Sequence, residues 1–570
     1  MKIERSREEE TMKFSAMPYE RIDMEVIKQK MQDIMKEFAN CGSGEEQFAV
    51  HQKYYALTGH VDSMMTICHI RHDIDTKDEF YDKEQTYYDK EAPAYYQLMV
   101  DYSKLLFESP YRDYLEEKIG KVAFKNMELD MKANDEKLIP LKQEENELTT
   151  RYMKLIASAE IPFDGDVQNI SLLRKYLTAD DRNVRKEAYK ALSDYFLTVT
   201  DEIDDIYDKL VKNRTAQAKL LGYENFVELG YYRMQRNCYD KAMVENFRKQ
   251  VKEHFVPFVQ KLNEQRRERL GLEKLSYIDE DSYFNNGNPA PIGNPEEILA
   301  AGKEMYGDLS KETKEFFDFM NENELFDVLG RKTKRAGGYM TYIPDFKSPF
   351  IFANFNGTSG DVDVITHECG HAFQGFVTRN DEIREHNNIG METAEIHSMS
   401  MEYFTDKYME MFFGDRADDY RKMHLEDGAA FVPYGCMVDE FQHIVYENPD
   451  MTPKERKQAW KELEKVYKPH LDYEGDPFFG EGGFWQKQHH IFDLPFYYID
   501  YCLATICAMQ FKIKMDENYE KAWEDYLKLC NLSAKDFYTN MLPAVGLKSP
   551  FEDGTIQWIV EKIVETLNHF

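Results

Sequence analysis

Two histidines four residues apart, with a glutamate directly after the first, form the segment His367-Glu368-Cys369-Gly370-His371. On an α-helix, residues i and i+4 share one face, so the two imidazoles can converge on a single metal ion. Glu368 projects to the side, where its carboxylate reaches a water on the metal rather than the metal itself. Two neutral nitrogen ligands, a carboxylate base, and room for a third ligand and a water are what hydrolysis at a Zn²⁺ centre requires. A solvated surface helix would carry the same five residues without any metal. The flanks argue against that: Val362, Val364, Ile365, Ala372, Phe373, Phe376 and Val377 are apolar. A helix this apolar is buried, and buried His and Glu need a partner, which a metal supplies.

A catalytic zinc takes three protein ligands. The extension His-x-x-Gly-x-x-His is absent, since Gln374 and Val377 occupy the relevant region. The stretch from Met391 to Glu402 reads as a second helix with Glu392, Glu395, Met399 and Glu402 near one face. A carboxylate from that helix completes a His₂Glu set. Geometry alone leaves both Glu392 and Glu395 as candidates, and His397, which points away from that face, as a weaker one.

These stretches together resemble the M3 family of zinc peptidases, in particular its oligoendopeptidase F branch. The likeness rests on His-Glu-x-Gly-His at 367–371, on Glu395, Ser398 and Glu402 in an E-x-x-S-x-x-x-E pattern, and on a Tyr-rich block near the C-terminus. It rests also on Gly337-Gly338-Tyr339 followed by the run Pro349 to Thr358, which is similar to the family's strand pair ahead of the zinc helix. The resemblance covers roughly residues 170 to 565. It implies one Zn²⁺ per chain, with His367, His371 and Glu395 as ligands and Glu368 as general base. It implies that Glu402 orients a ligand histidine, fixing its tautomer and raising its basicity. Where the family often has a further histidine three residues after the motif, this chain has Gln374.

The C-terminal block runs from Gln488 through His489, His490 and Pro495 to Tyr498 and Tyr501. Hydrolysis at zinc needs donors aimed at the developing oxyanion, and tyrosine hydroxyls and an imidazole suit that role. In related peptidases a His and nearby Tyr residues serve it, which singles out Tyr498, Tyr501 and one of His489 and His490. Spacing favours His489 and the flanking residues favour His490. An aromatic helix face packed in a core would look the same for any one tyrosine. The resemblance further implies short peptide substrates cleaved at internal bonds. A carboxypeptidase or dipeptidyl carboxypeptidase on the same scaffold would need a cation for the substrate's terminal carboxylate, and Arg379 and Arg384 follow the motif. A peptide-binding protein with a structural metal would have no use for Glu368.

Helical periodicity recurs at Ile22 to Ala39, Tyr95 to Phe107, Ser171 to Leu192, Leu197 to Leu221 and Ala242 to Leu270. Strand-like runs cluster between Tyr339 and Phe355, where Ile351 to Phe355 reads as a strand ending in an Asn-Gly turn, with an edge that could hold an extended peptide. Asp281 to Pro295 reads as a surface loop. The glycines between Phe479 and Phe484 suggest a mobile loop or a turn. The expected fold is mainly α, a multi-helix peptidase with a small β-sheet beside the zinc helix. By resemblance it has a deep substrate channel, a helical N-terminal region (1–165) covering it, and a catalytic region (166–570).

A net charge of −33 argues against nucleic acid and anionic membranes as partners. The acidic run Glu8 to Glu10 reads as a solvated end. No apolar signal segment opens the chain, and the most apolar stretch, Tyr501 to Phe511, is too short to span a bilayer. Eight scattered cysteines without a C-x-x-C pair read as free thiols. A cytoplasmic location follows as the expectation. Nothing in the sequence sets the number of subunits.

Overall fold

The computed structural model describes residues 12–331, 333–335 and 337–569, so the acidic run Glu8 to Glu10 lies outside it. The protein is 72% helical with only small sheets, which makes it a mainly α fold. Its residues pack as two compact units, each assembled from three stretches. The first comprises Met1–Asn134, Pro291–Gly414 and Lys514–Gly546; the second comprises Asp135–Ala290, Asp415–Ile513 and Leu547–Phe570.

Local chemistry accounts for the helix ends. The helix Met24–Ala39 starts at Asp23, whose carboxylate accepts from the amides of Glu25 and Val26, a cap worth about 1 kcal/mol. The run expected from Ser171 to Leu192 is two helices, Ile170–Leu177 and Arg182–Leu220. Asp181 caps the second, which continues without a break through the next expected helix. The run from Ala242 to Leu270 is interrupted by a π-turn at Val251–Phe255. Pro257 lies just beyond and has no N–H to give, so the regular i to i+4 ladder cannot pass through it.

Strands β1 (Ile161–Phe163) and β2 (Asp166–Gln168) form a hairpin in the second unit. The first unit holds β3 (Phe326–Leu329), β4 (Tyr339–Ile343) and β5 (Ser348–Phe355) in the order β3-β5-β4. β5 is parallel to β3 and antiparallel to β4. The strand expected at Ile351 to Phe355 is therefore the centre of the sheet and offers no open edge. All of β5 except Asn354 is buried, a pattern that belongs to a strand covered by neighbours. The edges are β3 and β4.

After β5 the chain turns at Asn356-Gly357, with Gly357 at φ +82°. Asp361 accepts from both turn amides at 2.8 Å. The motif helix α1 (Gly360–Thr378) follows, and then α2 (Met391–Phe404). They cross in backbone contact: a Cβ on Gly370 would lie 2.6 Å from the His397 carbonyl oxygen and from Ser398 Cα. The rest of α1 is enclosed. Phe373 packs among the rings of Phe316 and Trp523. Tyr306 donates to the Ile365 carbonyl at 3.1 Å and Tyr526 to that of His397 at 2.8 Å. On the sheet side, Gly375 faces the Tyr342 ring of β4.

In the second unit the glycine-rich turn is packed. A Cβ on Gly482 would meet the Lys457 carbonyl at 2.2 Å, and one on Gly483 would meet the Phe478 ring at 2.5 Å. Phe479 and Trp485 on either side are fully buried. The glycines there serve close approach, not motion.

Gly370→Ala would push α1 and α2 apart against a rigid backbone. We expect it to lower unfolding stability by about 1–3 kcal/mol, the range for overpacking. Urea unfolding followed by circular dichroism measures this; an unchanged midpoint would show that the crossing yields freely.

Candidate active site

His367 and His371 project from one face of α1, ring centroids 5.1 Å apart. α2 brings Glu395 opposite them, with Oε2 3.4 Å from His367 Nε2 and 3.5 Å from His371 Nε2. Ligand atoms of all three lie within 4.8 Å of one another. A tetrahedral ion with bonds of about 2.0–2.1 Å sets its ligand atoms about 3.3–3.4 Å apart. The observed spacing suits one such ion. The other ring nitrogen of His367, Nδ1, is 2.6 Å from Glu402 Oε1. That carboxylate accepts from Nδ1–H and leaves the Nε2 lone pair pointing inward. Ser398 donates to Glu395 Oε2 at 3.0 Å, fixing the third donor as well.

The titrations follow from this crowding. Burial would raise the Glu395 carboxyl, but His371 and His367 outweigh it and hold Glu395 well below the ordinary carboxylate range. Burial would lower His367, but Glu395 and Glu402 outweigh it and hold the imidazole well above its usual value. Glu368 is raised by burial, with His367 and His371 opposing. A carboxylate so raised is better matched to taking and returning a proton near neutral pH.

The two weaker ligand candidates stand apart from this group. Glu392 folds back on its own turn, where a Cβ on Gly390 would meet its Oε1 at 2.4 Å. His397 is buried against Tyr526 and, by burial first and by His371 second, is pushed down to about 3. Gln374 is occupied in a buried contact, donating to Thr378 Oγ1 at 3.2 Å and Ser533 Oγ at 3.1 Å.

The His-Tyr block lies in the second unit, between α3 (Ala417–Glu447) and the start of α4 (Tyr498–Glu517). His489 is 46% exposed at its side chain and pairs with Asp493 at 3.1 Å. The His490 ring lies against that of His489, with centroids 3.8 Å apart. Its ring meets Tyr498 edge-on at 5.0 Å and Tyr501 at 6.1 Å. Sequence reasoning missed Tyr497, which packs on both His490 and Tyr501, and Phe431 and Tyr434 of α3, which flank Tyr498. The spacing of Tyr497 was a visible signal; the residues of α3 left none.

Pro495 separates two helices, and Phe496 after it adopts φ +71°, a conformation that costs a residue with a Cβ about 1–2 kcal/mol. Two fully buried arginines hold this turn. Arg214 donates to the carbonyls of Ile491 and Phe492 while pairing with Glu145 at 2.7 Å. Arg236 donates to the Phe496 carbonyl and pairs with Asp500, which also accepts from Tyr239 at 2.8 Å. The Phe496 amide donates to Gln442 Oε1 at 2.9 Å.

The chain matches the Peptidase M3 N-terminal domain over residues 14–134 and Peptidase family M3 over residues 175–289 and 311–555. It belongs to peptidase family M3. This M3 protein is a metallopeptidase, with relatives named oligoendopeptidase F. Among solved structures it is similar to PZ peptidase A with an inhibitor, 47% identical over 98% of this chain and 99% of that one, with a TM-score of 0.95. Among curated proteins it is similar to Group B oligopeptidase PepB of Streptococcus agalactiae serotype III (strain NEM316), 21% identical over 82% of this chain and 79% of PepB. An oligoendopeptidase F homolog of Lactococcus lactis subsp. lactis (strain IL1403) is 22% identical over 49% of this chain and 44% of its own length.

For an M3 metallopeptidase the 2.6 Å bond from His367 to Glu402 has a measurable consequence. Glu402→Ala should weaken metal affinity about 10- to 100-fold, read by competition with a chelator of known affinity. Unchanged affinity would mean that the bond does not support the ligand.

Proposed function

We propose that this M3 metallopeptidase is a zinc endopeptidase that cuts internal bonds of short peptides. The observation that carries the reading is the His367–His371–Glu395 group, spaced for one small ion, with Glu368 beside it. His367, His371 and Glu395 would hold the zinc. When bound, zinc supplies the Lewis acidity that lowers the pKa of a coordinated water to about 7. Glu368 accepts the proton of the attacking water and returns it to the leaving nitrogen. His490, Tyr498 and Tyr501 donate to the oxygen of the carbonyl under attack, in keeping with the family pattern. His489, exposed and paired with Asp493, is assigned no such part. Every group given a chemical role lies in the region 166–570, and the helical region 1–165 contributes none.

Internal cleavage is favoured over trimming from the C-terminus because the two arginines after the motif are engaged. Arg384 pairs with Asp62 at 2.9 Å and donates to Thr58 at 2.7 Å. Arg379 lies over the Phe376 ring at 3.6 Å and donates to the Phe376 carbonyl. Arg384, held by Asp62, is not left to hold a terminal carboxylate. The charge of −33 supports peptide rather than nucleic-acid or anionic-membrane partners. No helix among the described residues is long and apolar enough to cross a membrane. None of the eight cysteines is joined in a disulfide, which supports the reducing cytoplasm as the location.

The test is cleavage of an internally quenched peptide of about ten residues, a length suited to extended binding, with blocked and free C-termini. Wild type should cut the blocked peptide internally. Glu368→Ala should lose about 10²- to 10⁴-fold in kcat, the usual share of a general base, while retaining zinc. Trimming of the free-ended peptide alone would establish an exopeptidase, and binding without cleavage would sink the catalytic reading. His490→Ala should lower kcat about 10²- to 10³-fold, the loss typical of an oxyanion donor, whereas His489→Ala should stay near wild type. The reverse order would reassign the donor.

A further inference from the structure

The segment that joins α1 to α2, residues 379–390, bears on where Glu395 stands relative to the two histidines. α2 opens at Gly390, which has no side chain to cap it, and Glu395 sits in its second turn. The Gly370 contact fixes α2 at His397 and Ser398. A helix held at one crossing can still tilt about it, so the preceding loop must hold the other end. That loop carries a short 3₁₀ turn, Arg384–Asn387, none of whose residues is buried. Its partners lie on one long helix near the start of the chain, Gly44–Ile74, within the same compact unit.

Two adjacent loop residues of opposite charge reach that helix. Arg384 donates to the Tyr55 carbonyl at 3.3 Å, to Thr58 Oγ1 at 2.7 Å and to Asp62 Oδ2 at 2.9 Å. Glu385 accepts from the Tyr55 hydroxyl and lies 3.2 Å from His51 Nε2. Positions 51, 55, 58 and 62 follow helical spacing and form one stripe. The stripe is braced from behind: the Tyr102 hydroxyl is 3.0 Å from His51 Nδ1, and Tyr95 donates to Asp62 Oδ1 at 3.2 Å. His51, Tyr55 and Thr58 are buried, and polar groups are buried where they have partners. The loop is also tied to α1. Ser533 donates to the His386 carbonyl and lies 3.1 Å from Gln374 Nε2.

We propose that the helix Gly44–Ile74 positions the metal site, with Tyr55 and Asp62 as positioning residues that hold Glu385 and Arg384 and, through the loop, Glu395. They touch neither metal nor substrate and act on where a ligand stands. A metal site needs its ligands within about 0.5 Å of the right geometry, so a loop released from the stripe weakens binding without removing any ligand. The N-terminal region therefore takes part in setting the metal site. Metal binding belongs to the metallopeptidase activity; that the metal is zinc rests on the proposed function.

The experiment measures zinc affinity of the full chain by competition with a chelator, together with amide hydrogen exchange of the zinc-free protein. The double variant Tyr55→Phe/Asp62→Asn keeps side-chain size and removes one hydroxyl and one charge. It should bind zinc about 3- to 10-fold more weakly, less than the 10- to 100-fold of a group bonded directly to a ligand. Residues 379–390 should exchange faster than in wild type. Tyr19→Phe is the control for lost stability alone. It removes a comparable bond in the same N-terminal region, from the Tyr19 hydroxyl to Glu84 at 2.6 Å, and should leave zinc affinity and loop exchange at wild-type values. Should the double variant fail to fold, Tyr55→Phe alone carries the test with changes of the same sign. Unchanged zinc affinity or unchanged loop exchange in the folded variant, or an equal loss in Tyr19→Phe, overturns the proposal. A wild type that binds zinc but cuts no peptide sinks the proposed function and leaves the positioning role standing.

Discussion

At Gly370 the backbones of α1 and α2 touch, and the geometry of the His367–His371–Glu395 group depends on that contact. Any side chain there would strike the His397 carbonyl and Ser398 Cα. With the helices this close, residues one turn either side of Ser398 on α2 reach the imidazoles of α1. Glu395 arrives between His367 and His371, and Glu402 arrives behind His367. A wider crossing would leave short carboxylate side chains out of reach. The contact also explains the rest of the motif. Cys369 and Ala372 turn inward and are fully buried, and burial drives the Cys369 thiol far above its usual range. It packs the helix and is not a nucleophile.

Electrostatics and geometry converge at the same place. Three carboxylates, Glu368, Glu395 and Glu402, are gathered around two imidazoles on largely buried helices. Carboxylates in such a setting require compensation, because desolvating an unpaired charge costs several kcal/mol. The shifts express that demand: the histidines lower the Glu395 carboxyl, while Glu395 and Glu402 raise His367, each against the effect of burial. A divalent cation meets both demands at once, replacing a shared proton between groups already spaced as ligands.

Much of this was legible in the sequence where the determinants are local. The i, i+4 histidines, the glutamates of α2 and the apolar flanks need only helical geometry to be read. Glu392 and Glu395 were not separable that way, since both lie near one face. The crossing at Gly370 and the folding back of Glu392 on Gly390 are tertiary facts. The strand Ile351 to Phe355 was legible from its residues. Its place in the sheet was not, because the third strand, Phe326–Leu329, is too short to announce itself and pairs in parallel from the far side. The glycines at 482 and 483 read equally as freedom or as close approach, and only the Lys457 carbonyl and the Phe478 ring decide between them. For His489 and His490, spacing from the tyrosines and the flanking residues pointed in different directions. What separates them is Gln488 on one side and Asp493 on the other.

The His-Tyr block shows why buried arginines recur in the second unit. Its backbone bends at Pro495 through a left-handed Phe496, leaving carbonyls that no helix satisfies. Buried carbonyls without donors would each cost about 1–3 kcal/mol. A lysine or amide could serve one of them. A guanidinium offers a planar fork of five donors and stays charged when buried. Arg214 therefore bridges two carbonyls, a tyrosine and Glu145, and Arg236 bridges the Phe496 carbonyl and Asp500. Each charge has its counterion within the unit, so the cost of burial is offset. The result is a turn whose strain is held by groups that cannot reorganise cheaply. In the proposed function the donors mounted on this turn are aligned before a substrate arrives. In the proposed function their alignment costs nothing when negative charge develops, which is the condition under which hydrogen bonds accelerate a reaction rather than merely bind its substrate.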